Sequence, residues 1–426
     1  MKESIANVMS SDYGYLLYLA LILLSTKLFG LLTKRVQLPQ VVGALAAGLV
    51  LGPACFGLVT ETDFITCVSE IGVVVLMFTA GLETDIKEMK KTGLASLVIA
   101  VLGVVVPLGA GWAISSIFNT EEAAGMSSVL LQNIFIGVIL TATSVSITVE
   151  TLKEMGKLSS KSGNAIIGAA VIDDILGIIV LTVITSAAGG ENGGSGGADI
   201  LMVVLKIILF FIFAVIVALA FNFLFNKWSG RSKKDLRRYV IIAFVFCLIM
   251  SFCAEYFFGV ADITGAFVAG LALSNGPRAN YLNNRFGTLS YMLLSPVFFA
   301  SIGLKVVLPD MSLSIILFSL LLLLVAILSK IVGCGLGAKL CRFSNKDSIR
   351  IGMGMVSRGE VALIVASKGA AVGLMKDEYF APIVIVVVVT TIITPILLKF
   401  AYKSKDNETN VISADESAAV NAVSEK

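Results

Sequence analysis

Two adjacent carboxylates, Asp173 and Asp174, lie in the middle of a long apolar stretch. The stretch predicts a helix from about Gly163 to Ile184, which is long enough to cross a hydrocarbon core of roughly 30 Å. Even a low estimate for one Asp at the bilayer centre is roughly 2.5 to 3.5 kcal/mol, so two imply a cavity lined by protein or water. Neighbours on a helix point about 100° apart, so one carboxylate can hold an internal partner while the other faces the cavity.

The composition places these residues in a membrane protein. The 426-residue chain is 57% hydrophobic and 14% charged, whereas a soluble domain carries about 25% charged residues. It has no histidine, and its six cysteines have no metal-like spacing. The commonest general base and zinc ligand is therefore missing, and the cysteines are predicted to be packing residues. We predict no cofactor, no catalytic residue and no nucleic-acid partner. The sequence before Tyr13 lacks a basic cluster and a cleavage site, so the first apolar run is predicted to be a retained span.

Hydrophobic runs of spanning length predict an all-α polytopic membrane protein with thirteen transmembrane helices. Charged residues or Gly, Pro and Asn bound each run. The predicted spans are 12–32, 38–54, 64–82, 95–116, 127–150, 162–186, 199–225, 237–257, 261–275, 287–304, 311–338, 347–371 and 377–400.

The Lys and Arg residues between the spans predict the orientation, because short cytoplasmic loops collect them. Nearly all of them lie in the loops after odd-numbered spans and in the segment that follows span thirteen. The opposite side holds only Lys2, Lys305, Lys368 and Lys376. The N-terminus is therefore predicted outside, and the C-terminus in the cytoplasm, of a multi-pass protein of the cell membrane.

Two sets of six spans with one span between them must have opposite orientations, which predicts two inverted six-helix repeats joined by a linking helix. The loop between the sets is rich in Gly and is expected to be flexible, and the C-terminal tail is polar and predicted to be disordered. The predicted units are a first repeat at 1–186 with its core part at about 95–186, a loop and linking helix at 187–226, a second repeat at 227–403 with its core part at about 311–400, and the tail at 404–426.

Two spans contain sequences that favour a break in the helix. Residues 141–148 of span five, TATSVSIT, hold five hydroxyl side chains, and such side chains can replace helical backbone hydrogen bonds. Residues 352–360 of span twelve, GMGMVSRGE, hold three glycines and two charges. Two broken helices in matching positions are predicted to cross near the midplane and to form a transporter binding site. Small-residue helix packing is the alternative interpretation.

Lys330 lies within the apolar stretch LLLLVAILSKIVGCGLGA, too deep in span eleven to reach the membrane surface. A buried ammonium needs an anionic partner or loses its proton. Asp173 and Asp174 are the candidate partners. Two interpretations stay open: a static ion pair that joins two helices, or a pair that breaks and forms again during transport.

Other charges within the spans are predicted to be structural or interfacial. These are Lys27, Glu70, Lys206 and Glu255. Asp262, at the start of span nine, either caps a helix or faces an outer vestibule.

Four motifs occur in order: TATSVSITVETLKEMG (141–156), AAVIDDILGIIVL (169–181), AILSKIVGCGLGA (326–338) and SRGEVALIVASKG (357–369). With them, nearly the whole chain resembles the NapA-type bacterial sodium/proton antiporters of the second monovalent cation:proton antiporter family. The resemblance implies that Asp174 is the main carboxylate for the cation and the proton, and that Asp173 is the partner of Lys330. It also implies that Thr143 and Ser144 line the site at the break in span five.

The same resemblance places Arg358 and Glu360 at the break in span twelve. It implies a homodimer in which spans four to six and eleven to thirteen move against the rest. Lys305 is not the functional lysine, since the family motif falls in span eleven. Asp262 and Thr264 depart from the family pattern and have no assigned role.

Together these residues suggest a coupled exchange at one site. A hard monovalent cation, Na⁺ or else Li⁺ or K⁺, is coordinated by oxygens, and anionic carboxylates bind either the cation or protons, so the two compete. Electrogenic Na⁺/H⁺ antiport is the main hypothesis, and a K⁺-preferring antiporter is its nearest alternative. An intramembrane aspartyl protease needs two carboxylates that converge on one water, which neighbours on a helix do not offer. An ion channel is the other remote alternative.

Overall fold

The computed structural model describes residues 13–35, 38–84, 86–120, 127–188, 196–229, 237–306 and 312–403. All regular structure in these ranges is helical, so the predicted all-α class is confirmed for them. The tail at 404–426 and residues 189–195 of the predicted Gly-rich loop lie outside the described residues. The helices of the first part are α1 (Gly14–Arg35), α2 (Gln40–Leu51), α3 (Asp63–Glu83), α4 (Ile86–Phe118), α5 (Val129–Thr141), α6 (Val145–Glu154), α7 (Lys161–Ala187) and α8 (Gly196–Ser229).

The second part repeats this pattern of long, short and interrupted helices. A π-helical turn at Ser290–Leu294 connects α11 to α12, and a short 3₁₀ turn at Asp377–Tyr379 precedes the last helix. The helices are α9 (Arg237–Phe258), α10 (Asp262–Ser274), α11 (Ala279–Leu289), α12 (Ser295–Leu304), α13 (Leu313–Leu340), α14 (Asn345–Gly354), α15 (Glu360–Ala371) and α16 (Phe380–Lys403).

By length and composition, ten helical segments within the described ranges can cross a membrane. Three shorter apolar helices, Gln40–Leu51, Asp262–Ser274 and Val361–Ala371, accompany them. The chain is therefore polytopic, while the count of thirteen spans stays a prediction. α4 begins at Ile86, well before the predicted 95, because the basic segment KEMKK is helical and continues directly into the apolar span.

Glycines let several helix pairs approach at backbone distance. A Cβ atom at Gly48 of α2 would lie 2.1 Å from the Ala300 carbonyl oxygen of α12, and one at Gly270 of α10 would lie 2.1 Å from the Phe78 carbonyl oxygen of α3. Without a hydrophobic driving force between helices in lipid, such close backbone packing holds a bundle together.

Glycines also bring α4 close to α13, next to Asp173 and Lys330. A Cβ at Gly333 of α13 would lie 2.6 Å from the Leu102 carbonyl oxygen, and one at Gly337 would lie 2.8 Å from the Ile99 Cα. A Cβ at Gly103 of α4 would lie 2.6 Å from the Cys334 Sγ of α13. The α4–α13 contact therefore has no room for larger side chains, and it fixes where α13 presents Lys330.

We predict that Gly48→Ala destabilises the protein, because the new methyl group forces α2 and α12 apart. Overpacking of this kind typically costs about 1 to 3 kcal/mol. The midpoint of thermal unfolding in detergent measures it. Gly109→Ala in α4 is the matched control, since a Cβ there meets nothing within 4 Å, and it should be neutral or slightly stabilising. An equal loss in both variants would contradict the packing argument.

Candidate ion-binding site

Asp173 of α7 and Lys330 of α13 form a buried ion pair. The Lys330 Nζ lies 3.1 Å from the Asp173 Oδ2 and 3.2 Å from Oδ1. The two residues are 2% and 0% exposed, so the pair is sealed from both aqueous sides in this conformation. Of the two candidate partners for Lys330, the geometry selects Asp173, as the resemblance implied.

Thr143 completes the surroundings of this carboxylate. Its hydroxyl donates to the Asp173 Oδ2 at 2.6 Å. Gly103 of α4 covers the pair from another side, since a Cβ there would lie 3.8 Å from both the Asp173 Oδ1 and the Lys330 Nζ. Further hydrogen bonds to a buried ion pair offset part of its desolvation cost, and the Thr143 hydroxyl supplies one such bond here.

Asp174 has a different environment from its neighbour. It is half-buried, whereas Asp173 is enclosed. Residues on α7 after Asp173 are mostly half-buried as well. The structure therefore encloses one carboxylate and leaves the other half-buried, while the roles of the two in ion binding stay a prediction.

Both predicted helix interruptions are present, and they meet each other. The chain leaves helical geometry at 142–144, between α5 and α6, and at 355–359, between α14 and α15. The Ser144 N–H donates to the Ser357 carbonyl at 2.8 Å, and the Ser357 hydroxyl donates to the Ser144 carbonyl at 2.7 Å. Thr148 donates to the Gly354 carbonyl at 2.6 Å. Each break thus satisfies backbone groups that the other break exposes, which is the condition for irregular backbone inside a membrane.

Arg358 occupies the centre of the crossing. It is fully buried, and its guanidinium donates to the carbonyl oxygens of Leu140 at 2.8 Å, Ala326 at 3.1 Å and Val356 at 3.0 Å. Leu140 belongs to the last turn of α5, where the helix dipole is negative, so a fixed cation there is favourable. The side chain of Glu360, the other predicted charge of this break, lies outside what the structure describes.

The donor set suits a hard cation. Carboxylates of α7, the hydroxyls of Thr143 and Ser144, and the carbonyl groups of the break at 142–144 are all oxygen ligands. Within the described ranges, no cluster of three His, Cys, Asp or Glu could hold a resident metal.

Comparison with known proteins agrees with this chemistry. The family described as sodium/hydrogen exchanger, transmembrane, matches residues 20–403. The chain belongs to this family. The Na⁺/H⁺-K⁺ antiporter GerN of Bacillus cereus is 37% identical over 403 residues, which are 93% of this chain and 98% of GerN. A Na⁺/H⁺ antiporter of Enterococcus hirae is 37% identical over 392 residues, which are 90% and 97% of the two chains. Membership of a cation/proton antiporter family, predicted from the motifs, is confirmed.

Solved structures give the same fold. The sodium proton antiporter MjNhaP1 of Methanocaldococcus jannaschii matches with a TM-score of 0.62 at 18% identity, over 91% of this chain and 97% of that one. Its electron-microscopy structure matches with a TM-score of 0.68 at 16% identity, over 92% and 95%. At this identity the likeness concerns the fold alone.

Three further charged residues that the sequence analysis considered lie outside the Asp173–Lys330 site. Lys305 pairs with Glu61 at 3.1 Å, so it is engaged outside the Asp173 pair. Asp262 is the first residue of α10, and its Oδ1 accepts the Ile263 N–H at 2.7 Å. Glu70 is exposed on α3. The position of Glu70 is compatible with the structural or interfacial role expected for it, and Lys305 lies outside the site, as expected. The two interpretations of Asp262 stay open.

Three residues of the site were not predicted. Gly103 stands beside the ion pair, Ser357 joins the two breaks, and Thr391 of α16 donates to the Arg358 carbonyl. Gly103 and Thr391 are small or hydroxyl residues in apolar spans, a signal that is present in the sequence but shared by many packing positions. Their contacts depend on tertiary structure, so spacing alone does not distinguish them.

We predict that the Asp173–Lys330 pair behaves as a coupled unit in stability. Removing one partner strands a buried charge, which typically costs about 3 to 5 kcal/mol, whereas removing both is far less costly. Asp173→Asn and Lys330→Met should each lower the thermal unfolding midpoint in detergent, and the double variant should recover most of the loss. Additive losses in the double variant would show that the two side chains do not interact.

Proposed function

We propose that this protein is a secondary active, electrogenic Na⁺/H⁺ antiporter in which the cation and protons compete for Asp174 and Asp173. The observation that carries the proposal is the buried Lys330–Asp173–Thr143 arrangement next to a half-buried Asp174. This cluster adjoins two interrupted helices in a chain of the sodium/hydrogen exchanger family. No enzyme chemistry and no cofactor enter the mechanism; the substrates are the cation and the proton.

Competition follows from the chemistry of carboxylates. An ionised Asp174 can bind either a cation or a proton, and each excludes the other. Thr143 and Ser144 lie at the break of span five and supply further oxygens for a dehydrated cation. Because the loaded forms alternate at one site, the two ions exchange and do not leak through together.

In this mechanism, the proton that Lys330 releases makes the exchange electrogenic. When the cation recruits Asp173, the ammonium loses its partner inside a low-dielectric site, and a buried ammonium without a partner releases its proton. Asp174 releases the other proton. Two protons then exchange for one monovalent cation, so each cycle moves a net charge across the membrane.

The packing of the helices supports the proposed inverted repeats and the thirteen spans. α4 contacts α13, and the pair α2–α12 is matched by α10–α3. Within each half, α4 contacts α5 and α7 as α13 contacts α14 and α16. These correspondences relate span n to span n+7, as two repeats separated by one linking helix, α8, require.

The proposed moving unit is α4–α7 with α13–α16, and the scaffold is α1–α3 with α9–α12. Both interrupted helices and the ion pair belong to the moving unit, so its displacement carries the site from one side to the other in an elevator-like cycle. The proposed orientation, with the N-terminus outside, rests on the loop Lys and Arg residues. The homodimer stays an expectation from the family resemblance.

A K⁺-preferring antiporter is the second candidate. It is favoured by the name of one relative, GerN, which is a Na⁺/H⁺-K⁺ antiporter. The donor oxygens do not fix the size of the cation.

We predict that Asp174→Asn abolishes exchange, because the amide binds neither a proton nor a cation as the carboxylate does. Purified protein in liposomes with an imposed pH gradient, read by dequenching of a pH-sensitive dye, measures it with Na⁺, Li⁺ and K⁺ in parallel. Glu70→Gln, a carboxylate of the scaffold, is the control and should retain activity. Cation-driven proton flux that survives in Asp174→Asn would overturn the assignment, and proton flux without any counter-cation would indicate a channel.

We predict that Lys330→Gln abolishes charge movement, because only Asp174 then carries a proton and the exchange becomes one for one. Transient currents on a solid-supported membrane measure it, together with dye-reported exchange. Lys305→Gln, outside the site, should stay electrogenic. Net current in Lys330→Gln at a matched exchange rate would exclude the proton role of Lys330.

A further inference from the structure

The last turn of α6 bonds the proposed moving unit, to which α6 belongs, to α3 of the scaffold. Lys153 forms an ion pair with Glu83 of α3, with its Nζ 3.4 Å from the Glu83 Oε1, and it donates to the Thr79 hydroxyl at 3.0 Å. Thr79 and Glu83 are four residues apart, so they lie on the same face of α3. One ammonium of the moving unit therefore binds two groups of the scaffold.

Glu154, the next residue of α6, bonds the moving unit to α2. Both of its carboxylate oxygens accept the Gln40 N–H at 2.8 Å. Gln40 is the first residue of α2, and the preceding residue, Pro39, makes no side-chain cap. A carboxylate at a helix N-terminus accepts an N–H group that has no partner within the helix, and it meets the positive end of the helix dipole. Glu154 thus supplies from the moving unit a cap that Pro39 cannot provide.

Glu83 is held in place on its scaffold side. Asn283 of α11 donates to the Glu83 Oε1 at 2.8 Å. Ser159, in the segment between α6 and α7, donates to the Glu83 backbone carbonyl at 3.2 Å. The moving unit therefore contacts Glu83 twice, through Lys153 and through Ser159, while Asn283 fixes the carboxylate from the other side.

Elsewhere the two units meet through apolar side chains. Halfway along α2, Leu45 and Ile302 of the scaffold face Val388 and Ile392 of α16. Thr391 lies on the same surface, but its hydroxyl donates to the Arg358 carbonyl within the moving unit. Apolar contacts are not directional, so this part of the interface permits sliding, whereas the bonds at the end of α6 oppose it.

We propose that Glu154 and Lys153, with Gln40, Thr79 and Glu83, form a latch that holds the two units together in this conformation and opens in each transport cycle. The inference rests on the proposed function and on the proposed division into units. A shift of the moving unit by one helical turn, about 5.4 Å, would separate every donor of the latch from its acceptor. Glu154 lies about 15 Å along α6 from Ser144, so the latch acts on the conformational step and takes no part in cation binding.

A reversible cross-link across the latch tests the proposal. The variant Gln40→Cys/Glu154→Cys is made in a background whose four exposed or half-buried cysteines are replaced by serine. In liposomes it should exchange Na⁺ for protons, lose exchange when a short bis-methanethiosulfonate joins the two cysteines, and regain it with reductant. The control pair is Lys27→Cys/Tyr291→Cys, since these side chains contact each other within the scaffold. Its cross-link should leave exchange unchanged.

The two possible failures of this experiment differ. Exchange that continues in the cross-linked latch pair would show that these contacts need not open, and would overturn the latch while the proposed antiport stands. Absence of exchange in the wild type would instead overturn the proposed function.

A second measurement needs no transport. Thr79 is fully buried where Lys153 binds it, so Thr79→Cys should react with a water-soluble maleimide only when the latch opens. Adding Glu154→Ala should raise this rate roughly three- to tenfold, because loss of a helix cap favours the open form. Thr390→Cys, equally buried within the moving unit, should not respond to Glu154→Ala. An unchanged rate at position 79, or an equal rise at both positions, would overturn the latch.

Discussion

An ammonium and a carboxylate inside a membrane must stay together, and this constraint organises the centre of the molecule. Separation of Lys330 from Asp173 without a replacement partner would leave two unpaired charges in a closed, low-dielectric space. The helices around the pair accordingly have small residues at their contacts, and Gly103 lets α4 approach both charged groups. A buried pair of this kind contributes little to stability compared with apolar packing. In the proposed mechanism, the pair serves the switching of its charges during exchange.

A second constraint concerns the interrupted helices. Backbone groups that lose their helical partners at 142–144 and 355–359 have no water to bind inside lipid. Ser144 and Ser357 exchange hydrogen bonds across the crossing, and Arg358 donates to the carbonyl of Leu140 at the end of α5. The two breaks are therefore stable only as a pair. Because these hydrogen bonds join the two breaks, both sides of the crossing move together in the proposed cycle.

Much of this arrangement could be predicted from local sequence. Two carboxylates and a lysine within apolar spans, and hydroxyl and glycine clusters at matching positions, indicate charges and breaks wherever they occur. The hydrogen-bond partners of Arg358 could not be predicted in the same way. The guanidinium of Arg358 bonds to three carbonyls, two of which, Leu140 and Ala326, belong to other helices. Side-chain spacing along one helix carries no information about carbonyl groups that a break frees elsewhere in the bundle.

Adjacent positions on α7 allow the two carboxylates to be coupled without contact between the transported cation and Lys330. A cation held by Asp174 lies close to Asp173, and two unit charges about 4 Å apart interact by about 4 kcal/mol at an effective dielectric constant of 20. That energy is comparable with the roughly 3 to 5 kcal/mol lost when a buried pair is broken. In the proposed mechanism, a bound cation therefore displaces the ammonium from Asp173, whereas a neutral protonated Asp174 does not, and the ion pair re-forms each time the cation leaves.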